Sequence, residues 1–158
     1  MIEENVAAGQ DSAVQVQPDH KRLVRVGISH GDTNGIGYEL ILKIFADSEI
    51  LELLTPIVYG SPKIATYYRK ALGSQTNFQT VLRAEDAADG RLNLVSCFDE
   101  EVKVEIGHPS EEAGRAARLA LEKAVEDLKG GKIDVLVTAP VNKKTLACES
   151  FPYAGHTD

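Results

Sequence analysis

The sequence predicts a layered α/β/α domain with a mostly parallel sheet, and two observations carry that expectation. Short β-branched runs alternate with longer amphipathic segments along the chain. The apolar runs end in loops bearing glycine or proline, as strands that feed crossover helices do. A length of 158 residues, 43% of them hydrophobic and 26% charged, fits one domain with a substantial core.

Taken in order, residues 1–21 are polar and lack an apolar period, which is the composition of a disordered leader. Leu23 to Ser29 reads as the first strand and His30 to Gly37 as a glycine-bearing loop. A helix follows from about Tyr38, with Leu40, Ile41, Ile44 and Phe45 turned inward. Thr55 to Tyr59 is a second strand. Ser61 then stands as an N-cap with Pro62 at the first helical position, and that helix stops at Gly73. Leu92 to Val95 reads as a strand, and Val102 to Ile106, alternating apolar with charged, as a half-exposed one. Ser110 caps the clearest helix. Glu111 and Glu112 sit where the helix dipole favours acids, and Ala113, Ala117, Leu121, Ala124 and Leu128 recur at spacings of three and four. Gly130 and Gly131 end it. Ile133 to Thr138 is the last strand, and Asn142 to Cys148 a short helix. Ligands of such sheets sit beyond the carboxyl ends of the strands, so the loops after Ile28 and Val137 are the first places to look.

Composition narrows the function. A net charge of -7, from 24 acids against 17 bases, argues against broad nucleic-acid binding but permits a local positive pocket. No apolar run approaches the ~20 residues that span a bilayer. The N-terminus has neither the basic start nor the apolar core of a signal peptide, so the expected location is the cytoplasm, without a membrane partner. Cys97 and Cys148 lie far apart, without disulfide or zinc spacing, and read as reduced thiols.

Three segments can carry chemistry, each with a plainer alternative. Gly31, Gly35 and Gly37 lie between a strand and a helix, where backbone can approach an anion; the alternative is a tight turn chosen for packing. The spacing is neither a dinucleotide fingerprint nor a P-loop. Lys143 or Lys144, beyond the last strand, can hold a phosphate or carboxylate, or can simply be solvated. His156, Thr157 and Asp158, after Gly155, can bind a polar substrate or form an unstructured polar end. His30 and Asp32 flank the glycine loop either as a working pair or with Asp32 closing an Asx-type turn. Ser29, Cys97 and Cys148 have no recognisable base partner, which leaves nucleophilic catalysis unsupported.

Together these segments resemble the 4-hydroxythreonine-4-phosphate dehydrogenase family. Val26 to Glu39 is similar to the family's opening strand and its Gly-acid-Pro-small-Gly-Ile-Gly-Pro-acid loop. Glu111 to Ala117 resembles its Ala-Gly-Arg-Ala helix start. Val137-Thr138-Ala139-Pro140-Val141-Asn142-Lys143 resembles its Thr-Ala/Gly-Pro-Val-Asn/His-Lys segment. Phe151 to Asp158 resembles its Pro-Phe/Tyr-x-Gly-His-Thr-Glu segment. Four segments in order are more specific than any one, and they span roughly residues 23–158.

The resemblance implies NAD-dependent oxidation of a small phosphorylated hydroxy amino acid, 4-phosphooxy-L-threonine, on the route to pyridoxal 5'-phosphate. It also implies a divalent metal (Zn, Mg or Co) that polarises the reacting hydroxyl. The implied fold is that of the isocitrate and isopropylmalate dehydrogenases, with two α/β/α domains and a homodimer. His156 and Thr157 carry the family's substrate contacts; Asp32 and Lys143 are weaker candidates that shape the site. Thr33 and Tyr38 replace loop prolines, a departure that points toward a related hydroxy-acid phosphate. Family members are about twice as long, so residues 22–158 are expected to be the N-terminal α/β portion of a two-domain enzyme, inactive alone. The metal-ligand histidines and NAD-binding segments are expected outside this chain. Two other readings are a phosphotransacetylase-like acyltransferase and a non-catalytic module binding a small phosphorylated ligand.

Overall fold

The computed structural model describes residues 22–99 and 101–147. The expected disordered leader, Cys148, His156 and Thr157 lie outside the described residues. Five strands form one sheet: β1 (Val24–Ser29), β2 (Leu54–Gly60), β3 (Phe78–Val81), β4 (Leu92–Ser96) and β5 (Val135–Thr138). Their spatial order is β3-β4-β2-β1-β5, and every pairing is parallel. The helices are α1 (Gly37–Ile44), α2 (Ile50–Leu53), α3 (Pro62–Ala71), α4 (Glu111–Lys129) and α5 (Lys143–Leu146), with a single tighter turn at Ala84–Asp86. The expected α/β class is correct.

Alternation along the strands sorts the core into two layers. Ile28, Val58 and Leu94 point to one face, where they meet Tyr38, Ile41, Leu42 and Phe45 of the α1 region and Ile64, Ala65 and Tyr68 of α3. Ile57, Tyr59 and Val95 point to the other, against Ala120 and Ala124 of α4. Alanines along α4 bring that helix close to the sheet. Gly114 takes the approach further: a Cβ there would lie 1.9 Å from the Thr145 carbonyl oxygen, so glycine is what lets α5 dock on α4. The Ser61 hydroxyl accepts from the Ile64 amide at 3.5 Å, and the Ser110 hydroxyl from the Ala113 amide at 3.1 Å, so both expected caps form. Gly73 and Gly131, each with positive φ, follow the ends of α3 and α4.

Three expectations need correction. Residues 102–106 are not a strand. Their alternation is satisfied because Val102 and Val104 pack on the core between charged neighbours, while the Glu105 amide donates to the Asn34 side chain rather than to a sheet. In α1, Leu40 and Ile44 are exposed at 38% and 51%. The buried face runs through Tyr38, Ile41, Leu42 and Phe45, an i, i+3, i+4, i+7 pattern set by anchoring Tyr38 beneath the glycine loop. Finally, Phe78–Val81 is an edge strand, with Gln79 and Thr80 exposed, that the sequence analysis did not anticipate.

One charged group lies deep in the second layer. Asp127 is 1% exposed; its Oδ2 accepts from the Tyr59 hydroxyl at 2.9 Å. Its Oδ1 has no hydrogen bond, but the Lys123 and Lys132 ammonium groups stand 3.4 Å and 3.3 Å away. Burial, then the adjacent Asp127 carboxylate, raise the Tyr59 pKa and keep its hydroxyl protonated as the donor. Among the described residues no helix is long and apolar enough to cross a membrane. Replacing Asp127 with alanine strands the Tyr59 hydroxyl and should lower the unfolding free energy by about 2–4 kcal/mol in urea titrations. Tyr59→Phe should lower it by about 1–2 kcal/mol.

Candidate functional site

The first strand and the last end side by side. Ser29 pairs with Thr138 in register, and the Ala139 amide donates to the Ser29 carbonyl at 3.0 Å. Beyond the strands the two loops stay joined, because the Asp32 amide donates to the Pro140 carbonyl at 2.9 Å. Gly31 makes that contact possible: its φ is +76°, and a Cβ would sit 2.3 Å from the Pro140 oxygen. The loops then part. The β1 loop leads to α1 on one face of the sheet, and the β5 loop leads to α5, which packs with α4 on the other. Such a divergence at the carboxyl ends of parallel strands opens a crevice. Here it is an open cleft of about 610 Å³ whose lining includes Asp32, Ile36, Pro109, Val141, Lys143 and Lys144. A groove of about 500 Å³ elsewhere, beside α3, is lined by the exposed ion pair of Lys63 with Glu101 and lies off the switch point between β1 and β5.

The loop resolves the choice at His30 and Asp32. Asp32 closes an Asx-type turn, its Oδ1 accepting from the Asn34 amide at 2.9 Å. His30 is not its partner. The imidazole is fully buried, stacked on Tyr38 at 5.3 Å between centroids and tilted against Phe98 at 6.0 Å. Neither ring nitrogen has a hydrogen-bond partner among the described residues. Burial pushes the His30 pKa down to about 4; the Ala116 backbone opposes the shift without reaching hydrogen-bond geometry.

Tyr38 extends this support. Its ring stacks on Tyr68 at 5.5 Å, and its hydroxyl accepts from the Ser61 amide at 2.9 Å. The Tyr68 hydroxyl donates to the Thr33 carbonyl at 2.7 Å. An aromatic pile therefore holds the glycine loop from below.

The structure places Asp32 and Lys143 on the lining of one cleft. Lys143 and Lys144 are exposed in the first turn of α5, and the Asn142 side chain caps that turn by accepting from the Lys144 amide at 3.1 Å. Neither lysine has an ion pair among the described residues. The Oδ2 of Asp32 also has no partner there. The cleft can thus take a small anion on its lysines and a donor group on Asp32. Among the described residues no group of three or more His, Cys, Asp or Glu is placed to hold a metal ion. The conformational freedom of Gly31 serves contact between the two loops. Sequence reasoning missed Asn34, whose partners Glu105, His108 and Ser110 lie far along the chain, and Pro109 on the cleft wall.

Two outcomes test this geometry. Gly31→Ala forces a side chain onto the Pro140 carbonyl and should destabilise the fold by roughly 1–3 kcal/mol in chemical denaturation. For His30, the folded pKa of about 4 lies below the ordinary 6.5. The unfolded chain therefore takes up the proton first, and stability is full above pH 6.5 and falls as pH drops toward 4. The loss should approach about 3 kcal/mol, and His30→Phe should flatten that part of the pH–stability curve.

Known proteins resemble this chain over most of its length. Residues 52–158 match the family described as pyridoxal phosphate biosynthetic protein PdxA. A 4-hydroxythreonine-4-phosphate dehydrogenase of Bacteroides thetaiotaomicron is 56% identical over 135 residues, covering 85% of this chain and 37% of the relative. One from Sulfurihydrogenibium is 33% identical over 136 residues, covering 86% of this chain and 41% of the relative. The crystal structure of a 4-hydroxythreonine-4-phosphate dehydrogenase from Burkholderia phymatum superposes with a TM-score of 0.76 at 29% identity, over 87% of this chain and 42% of that one. The chain thus spans about two fifths of the length of the relatives it matches. With its parallel sheet and its paired strand-end loops, this chain belongs to the PdxA family.

Proposed function

We propose that the full protein carrying this chain is an NAD-dependent dehydrogenase that oxidises 4-phosphooxy-L-threonine in pyridoxal 5'-phosphate biosynthesis. Residues 22–158 are its N-terminal α/β portion, within a cytoplasmic, homodimeric, two-domain enzyme. One observation carries the reading: two family motifs, the glycine loop and the Thr138–Lys143 segment, are separated by about a hundred residues in sequence yet meet in one cleft.

In this reading the chain binds and orients. Lys143 attracts the phosphate, Asp32 shapes the opposite wall, and His156 with Thr157 contact the substrate's polar groups. A divalent metal, when bound, polarises the hydroxyl being oxidised. Among the described residues no group of three or more His, Cys, Asp or Glu is placed to hold it, and in this reading the metal ligands and the NAD site are supplied elsewhere in the protein. NAD, if bound, would supply the hydride acceptor, and the residues described here would keep the phosphate end of the substrate still.

The test is NADH formation by the full-length protein with 4-phosphooxy-L-threonine and divalent metal. His156→Ala should raise KM or lower kcat by about tenfold or more, and the 158-residue chain alone should form no NADH. Acyl-phosphate formation without NADH would establish an acyltransferase instead. Tight, metal-independent ligand binding by the short chain would favour a binding module. Faster turnover of a phosphate lacking the amino group would move the assignment to a hydroxy-acid substrate.

A further inference from the structure

We infer that Asn34 is a positioning residue that clasps residues 105–110 onto the glycine loop and thereby sets the width of the cleft; its effect on substrate binding rests on the function proposed above. Asn34 is 2% exposed although it sits in a surface loop. Its Nδ2 donates to the His108 carbonyl at 2.8 Å and to the Ser110 hydroxyl at 3.2 Å. Its Oδ1 accepts from the Glu105 amide at 2.8 Å, and its carbonyl accepts from the Gly107 amide at 2.8 Å. Its own amide holds Asp32 Oδ1 at 2.9 Å. One residue therefore fixes Asp32 on one wall and, through His108, the neighbouring Pro109 on the other. It also orients the Ser110 hydroxyl, which caps α4.

The side chain has to be an amide. Residues 105–110 have no helix or strand to satisfy their backbone, so Glu105 needs an acceptor while His108 needs a donor. Asparagine supplies both from one short side chain; aspartate supplies only the acceptor, and alanine neither. Without the side-chain clasp the 105–110 segment keeps the Gly107 amide bond to the Asn34 carbonyl but loses its ties at Glu105, His108 and Ser110, and Ile106 at 57% exposure and the exposed His108 add little packing. Pro109 would then leave the cleft wall. The expected consequence is weaker substrate binding with the chemical step preserved.

The test compares Asn34→Ala, Asn34→Asp and, as a control for general destabilisation, Ile64→Ala in the full-length protein. Hydrogen exchange reads the clasp and steady-state kinetics read the cleft. In Asn34→Ala the Glu105 amide should exchange about tenfold or more faster, the loss expected for one buried hydrogen bond. KM for 4-phosphooxy-L-threonine should rise by about tenfold with kcat within about twofold. Asn34→Asp should keep Glu105 protected, because the carboxylate still accepts, yet raise KM, because His108 and Ser110 lose their donor. Ile64→Ala should lower Tm without moving KM. Unchanged Glu105 protection in Asn34→Ala overturns the clasp whatever the reaction turns out to be. Unchanged KM in both Asn34 variants, or an equal rise in Ile64→Ala, overturns the positioning role. Should the wild-type protein form no NADH, the proposed reaction fails, and calorimetric affinity for the same phosphate replaces KM in each comparison.

Discussion

The cleft depends on the parallel pairing of β1 with β5. These strands are separated by more than a hundred residues, and closing so long a loop carries an entropy cost that only nonlocal contacts can offset. The offset comes from both faces of the sheet. Ile28 is pinned in the layer beneath α1, while Ile133, just before β5, is pinned in the layer beneath α4. Once Ser29 and Thr138 are in register, the hydrogen bonds of Ala139 with Ser29 and of Asp32 with Pro140 follow from position. Two sequence motifs become one structural object because a sheet places neighbouring strand ends a few ångströms apart.

The same region concentrates its polar conflicts. Asn93 is buried elsewhere and well partnered, donating to the Pro56 carbonyl and accepting from the Ala88 amide, whereas Asp127 has one oxygen on the Tyr59 hydroxyl and the other facing two lysines without a hydrogen bond. Beneath the glycine loop, the His30 nitrogens and the Thr33 hydroxyl are buried without partners among the described residues. Each such group costs on the order of 1–3 kcal/mol. Stacking among His30, Tyr38 and Tyr68, with the hydroxyl contacts to Ser61 and Thr33, supplies compensation in the same place. A loop held by rings rather than by prolines is stiff for a different reason, since tertiary packing does what restricted φ would do.

What could be read from sequence was local. The caps at Ser61 and Ser110 and the stops near Gly73 and Gly131 were legible because each is decided within a few residues. The apparent strand at 102–106 was misleading because alternation reports one buried face, not a hydrogen-bonded neighbour. Leu40 and Ile44 were misplaced because four apolar residues on a short helix leave its rotation open, and Tyr38, anchored outside the helix's own pattern, decides it. Asp32 and Lys143 could be named as candidates from local motifs, yet nothing near Asn34 in sequence announces that its partners are Glu105, His108 and Ser110. Residues whose role is to join distant segments carry no local signature.

The described residues also set a limit on what this portion can contribute chemically. Two lysines and a carboxylate with one unpartnered oxygen can attract, orient and neutralise a small phosphorylated molecule. No side chain accepts a hydride, so a dehydrogenase must bring the electron acceptor as a cofactor and give the protein the tasks of binding and alignment. The proposed division of labour follows. The β1 and β5 loops hold one end of the substrate, and the cofactor and metal reach the reacting carbon from the rest of the protein. In that arrangement small errors in cleft width matter, because substrate anchored at its phosphate pivots about the anchor and misplaces the carbon most. A residue whose backbone N–H holds Asp32 and whose side-chain amide holds the segment bearing Pro109 is therefore suited to a site whose reaction partners arrive from another part of the fold.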